Sequence, residues 1–164
     1  MRKFLYEIDR MTRREYRNFI LSLGGQISFF KSLARGGTGL GGLYLIKDEN
    51  DWWTYPEDVP TAVAFEKMNK VLMLRMNNTK RNIAYPVPYS EIKRVHLKSR
   101  KNISSDRTEL LIHFSCENGP DVVLENRGWN NNTVIKFFST PELKPLLELD
   151  EAVGGMNGNR GLQK

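Results

Sequence analysis

Between Leu43 and Leu124 the chain is cut into seven short apolar runs, and no run is long enough for an amphipathic helix. They are Leu43–Ile46, Ala62–Phe65, Val71–Met76, Ile83–Val87, Ile92–Leu97, Leu110–Phe114 and Val122–Leu124. Polar or turn-forming residues separate them, as at Met68-Asn69 and Glu117-Asn118-Gly119-Pro120. Short runs at turn-punctuated spacing predict antiparallel strands closing on one core, a sandwich or small barrel rather than a βαβ array. Pro86 and Pro88 restrict the fourth run to an edge or a bend, because proline donates no ladder hydrogen bond.

The flanks read differently. Thr12-Arg13-Arg14-Glu15 is a capping box, in which Thr and Glu satisfy each other's free backbone donors at a helix start. Tyr16, Phe19, Ile20 and Leu23 follow at i, i+3, i+4 and i+7, so one face of that helix is apolar. Arg13, Arg14 and Arg17 lie off the apolar stripe, and Gly24-Gly25 supplies the stop. Residues Ser28 to Leu33 allow a further short helical piece. Residues 36–42, five of them glycine, read as a flexible joint between this arm (1–35) and a β domain (43–150). After the last strand, an asparagine among Asn130–Asn132 caps a helix through Val134, Ile135, Phe137 and Phe138. Pro141 opens a second helical segment through Leu149. Residues 153–164 lack the apolar content to order themselves. The fold class expected is therefore mainly β (α+β), a seven-stranded antiparallel barrel or sandwich with a C-terminal capping helix and an N-terminal amphipathic helix.

Charge narrows the function. The net +6 divides unevenly: residues 1–35 hold eight Lys/Arg against three Asp/Glu, whereas residues 36–150 hold fifteen of each. Within the neutral part, Asp48 to Asp58 is acidic, and Lys93 to Arg107 is basic. Segregated charge steers anionic partners toward one surface. The first residues are basic, but Glu7 and Asp9 interrupt what a signal peptide would need as its apolar stretch. One cysteine, Cys116, excludes an internal disulfide and fits a reducing compartment. A cytoplasmic protein, peripheral at a membrane if it meets one, is expected.

Local text adds a resemblance. Gly42-Leu43-Tyr44-Leu45, the stretch Tyr85 to Val95 with its Ile92-x-x-Val95, Leu110 to Phe114 followed by Gly119, and the closing Val134 to Phe138 resemble pleckstrin-homology-like domains, GRAM domains among them. The likeness covers residues 42–140. It implies a binding module for anionic lipid head groups or protein partners, with no catalysis and no cofactor. The acidic stretch from Asp48 to Thr61 is longer than in such domains, and residues 1–35 have no counterpart in them.

Few residues carry chemistry. His96 and His113 alternate with apolar neighbours, so both face away from the core, without the spacing of a metal site. Cys116 has no basic neighbour in sequence to lower its pKa. Gly37-Thr38-Gly39-Leu40-Gly41-Gly42 matches G-x-G-x-x-G. A dinucleotide fingerprint needs a strand before and a helix after, and here the order is reversed. Trp52 and Trp53 either plug one end of a barrel or anchor a partner. Lys98, Arg100 and Lys101, aided by Lys93, Arg94 and Arg107, are placed on a loop where their side chains suit phosphate oxygens. The expected function is a non-enzymatic module presenting that loop to an anionic lipid surface or a protein partner. Arg13, Arg14 and Arg17 offer a further partner or membrane contact. Two alternatives stand beside it: nucleic-acid binding through the basic arm, and a structural subunit of a homo-oligomer.

Overall fold

The computed structural model describes residues 6–27, 37–52, 60–78, 82–101 and 108–154. Its strands are β1 (Tyr6–Glu7), β2 (Gly39–Asp48), β3 (Ala62–Lys67), β4 (Val71–Asn77), β5 (Asn82–Pro88), β6 (Ile92–Lys101), β7 (Thr108–Cys116), β8 (Asp121–Asn126) and β9 (Leu147–Leu149). The helices are α1 (Arg13–Ser22), α2 (Asn131–Phe138) and the single turn α3 (Glu151–Gly154). All nine strands join one open, mixed sheet in the order β1-β5-β4-β3-β2-β8-β7-β6-β9.

The mainly-β expectation holds. The seven-stranded antiparallel barrel or sandwich is corrected to one open, mixed sheet of nine strands among the described residues, and both additional strands come from segments outside the seven apolar runs. β1 pairs Tyr6 with Ala84 and Glu7 with Ile83, which covers part of the β5 edge ahead of Pro86. β9 runs parallel to β6, Val95 facing Leu147 and Leu97 facing Leu149. The helical segment expected there is absent. Pro145 confines the helical turn to a 3-10 piece, Lys144–Leu146, and the unpaired edge of β6 then captures the next three residues. The glycine joint is also shorter than expected, because Gly39 to Gly42 already belong to β2. The piece expected at Ser28 to Leu33 and the tail beyond residue 154 lie outside the described residues.

Apolar residues sort onto two sides of the sheet. Phe65, Leu72, Leu74, Phe114, Leu124 and their neighbours form the main core, over which α2 lays Phe137 and Phe138. The Phe65 ring lies 5.0 Å from Phe114 and 5.4 Å from Phe138, both edge-on. Asn130 caps α2, its side-chain oxygen accepting from the Thr133 N–H at 2.9 Å. On the other side, α1 packs Phe19 and Ile20 against Met68, Val71, Met73 and Ala84, with Tyr16 and Leu23 beside them. β4 is thus apolar on both faces: Leu72 and Leu74 point into the core while Val71 and Met73 lie under α1. That double burial is why its sequence does not alternate.

Candidate functional site

The docking of α1 determines which of its residues remain available. Thr12 accepts from the Glu15 N–H at 3.3 Å, and the Glu15 carboxylate accepts from the Thr12 backbone N–H at 2.7 Å. These bonds fix the start of the helix. Its end is tied to the β3–β4 hairpin, where the Asn69 side-chain amide donates to the Gly24 carbonyl at 2.8 Å. With the Phe19–Ile20 side turned to the sheet, Arg13, Arg14, Arg17 and Leu21 face outward. Arg13, Arg17 and Leu21 follow one another at four-residue intervals, so they form a single line along the helix.

A groove of about 790 Å³ runs along this line. Arg13, Arg14 and Arg17 line it together with Tyr16, Ile20 and Leu21, and it ends at Gly25 and Gln26. Leu21 is 60% exposed, the largest exposure among the large apolar side chains described. None of the three guanidinium groups has a carboxylate or hydrogen-bond partner among the described residues. The only acid on α1, Glu15, is turned back to Thr12, whose hydroxyl and N–H hold its carboxyl below the usual glutamate value.

Arg13 and Arg14 also occupy the first turn, where free N–H groups and the helix dipole favour anions. Each cation there opposes helix formation by up to about 1 kcal/mol. That local conflict concentrates positive potential at one end of the groove.

The other residues singled out from sequence do not gather in the same way. Lys98, Arg100 and Lys101 belong to β6 and not to a loop, because the strand continues to Lys101 and β7 begins at Thr108. Arg100 faces Glu109 across the ladder and binds its carboxylate at 2.6 Å. Arg94 reaches the His113 Nδ1 at 3.1 Å. An arginine only donates, so that nitrogen accepts, and the ring proton lies on Nε2, 2.6 Å from Asp121. Lys93 and Lys98 are exposed along the strand, and Arg107 and Trp53 lie outside the described residues. Trp52 packs against the main core, its ring 5.2 Å from that of Tyr85.

His96 and His113 face one another in register, yet each turns to its own carboxylate, His96 to Asp150 at 2.7 Å. No group of three His, Cys, Asp or Glu among the described residues is placed to hold a metal. Cys116 is buried, and desolvation, followed by the charges of Glu91 and Asp121, pushes its thiol far above the ordinary value. It is a poor nucleophile.

The sequence pointed to the three arginines but passed over Leu21 and the groove. Leu21 sits one residue beyond the apolar stripe. Its four-residue spacing from Arg17 was the clue that placed it on the outer line.

Fold and site together define a mainly-β domain that carries a cationic groove on a helix docked to the outer face of its sheet. Compared with known families, curated proteins and solved structures, the chain matches none.

Proposed function

We propose that this is a non-enzymatic binding module with a pleckstrin-homology-like core, and that it holds an anionic ligand in the groove of α1. The order of the seven central strands supports the core assignment. β2 to β5 form a four-stranded meander, β6 to β8 a three-stranded one, β2 joins β8, and α2 packs over the shared core. The extra strands β1 and β9 are additions at the two edges of that unit, and α1 is an addition on its outer face. The observation that carries the functional reading is the set of three arginines, without partners among the described residues, that line one groove along α1. The cations of β6 serve the sheet more than a ligand, since Arg94 and Arg100 are engaged across the ladder.

The reading separates from its rivals by paired binding measurements at low salt. Phosphatidylserine vesicles, a short single-stranded RNA and an acidic peptide serve as anionic probes. Neutralising Arg13, Arg14 and Arg17 to Gln is expected to weaken the bound probe about tenfold, the product of three exposed charge contacts. Changing Lys98, Arg100 and Lys101 to Ala is expected to matter less. The reverse ranking would return the site to β6. A wild-type chain that binds no anionic probe would remove the binding-module reading itself. A stable oligomer in light scattering, with the groove closed between copies, would favour a structural subunit.

A further inference from the structure

Resting on the reading that the α1 groove takes an anion, we infer that its occupant is an acidic amphipathic helix of a protein partner. The first reason is what α1 has already committed to the fold. A helix that lies in a bilayer surface needs its apolar side free to enter the lipid. Here Phe19 and Ile20 are both 8% exposed and packed on Met68, Val71, Met73 and Ala84. Laying that side into a membrane would require undocking α1 and baring the outer face of β4. Only Leu21 is left as an exposed large apolar side chain on this helix.

The second reason is the shape and lining of the site. Ile20 lines the groove and is nearly buried, out of reach of a flat surface but open to a side chain inserted from a partner. An apolar lining edged by guanidinium groups suits an apolar anchor flanked by carboxylates. It suits a phosphodiester chain less well, because aromatic platforms for base stacking are missing from the described lining: its one ring, Tyr16, has its hydroxyl held by Arg75.

The third reason is spacing. Arg13, Arg17 and Leu21 stand one helical turn apart, about 6 Å between neighbours and about 12 Å overall. A second helix presents side chains at the same interval when its acids stand at i and i+4. Two carboxylates would then meet Arg13 and Arg17, with Arg14 beside them, while a leucine or similar residue enters next to Ile20 and Leu21. This is recognition of a helix in a groove, with the charge pairs fixing register and the apolar anchor supplying most of the affinity.

The experiment uses the full chain and a fluorescein-labelled, end-capped peptide of about 16 residues, long enough for partial helicity. Glutamates at i, i+4 and leucines beside them occupy one face; a scrambled peptide of the same composition is the control. Fluorescence anisotropy is expected to show binding of the patterned peptide, and about tenfold weaker binding of the scrambled one. Arg13→Gln with Arg14→Gln and Arg17→Gln should weaken the patterned peptide to a similar degree. Leu21→Ser should weaken it several-fold, and near-UV circular dichroism of the variants should match the wild type. Equal binding of both peptides would overturn the inference. So would arginine-dependent binding of phosphatidylserine vesicles or RNA without the peptide, an outcome that leaves the anion-binding groove standing. If none of the probes binds, both readings fall.

Discussion

Gly42 and Gly128 show how much one hydrogen in place of a methyl group can decide. Gly42 has φ +65°, and a Cβ placed on it would lie 2.8 Å from the Cα of Gly128. The contact brings the irregular start of β2 against the chain leaving β8. There the Gly42 carbonyl accepts from the Arg127 N–H at 3.0 Å, and the Gly41 carbonyl accepts from the Trp129 indole at 2.9 Å. Any side chain at residue 42 is strained twice, by backbone conformation and by collision with backbone. Gly42→Ala is expected to lower stability by about 2 kcal/mol in chemical denaturation, with an unchanged denaturant slope. Lys67 is the other residue-scale departure. It takes the last inward position of β3 after Val63 and Phe65 and is 1% exposed. Its ammonium lies 3.9 Å from the centre of the Phe137 ring and 3.4 Å from the Gly37 carbonyl, contacts that compensate for lost water.

Among the elements, α1 joins stability to the proposed function most directly. Its capping box sets where it begins, its apolar side sets where it docks, and its arginines are left over. Thr12→Ala should cost about 1 kcal/mol, read as a lower unfolding midpoint. The capping carboxylate also gives a pH dependence with a definite sign. Glu15 titrates lower in the folded chain than in the unfolded one, so its stabilisation is complete above the ordinary glutamate value. It is lost as pH falls through the lowered one. Between about pH 5 and about pH 3 the wild type should therefore lose more thermal stability than Glu15→Gln, measured side by side. The same helix carries Arg13 and Arg14 against its own dipole, an arrangement that stability alone does not explain.

For the whole molecule, the notable feature is how the sheet ends. The central strands leave β5 at one edge and β6 at the other, and each is covered in part by a segment from one end of the described chain. β9 is held to β6 by the pairing of Val95 to Leu97, by the Asp150 N–H donating to the Leu97 carbonyl at 3.0 Å, and by His96 on Asp150. Val153, fully buried, anchors the turn that follows. An uncovered edge is a template for pairing with another chain. Val153→Asp should release β9, speed hydrogen exchange in β6 and raise the self-associated fraction in light scattering. Unchanged exchange at Val95 to Leu97 would show that β9 does not guard that edge.

Local pattern was enough for several features. Seven central strands, both hairpin turns, the capped helices α1 and α2 and the outward arginines follow from alternation, capping residues and helical period, which act over a few neighbours. Local pattern could not place β1 or β9, because two or three residues carry no period of their own and pair only where a distant strand offers an open edge. Nor could it show that Arg100 would meet Glu109, or that Lys98 to Lys101 would stand in a ladder, since register is settled between strands. The groove is the clearest case. The charges of Arg13, Arg14 and Arg17 were written in the sequence, but whether the opposite side of their helix faced lipid, a partner or its own sheet depended on Val71 and Met73 needing cover, and only the folded chain decided that.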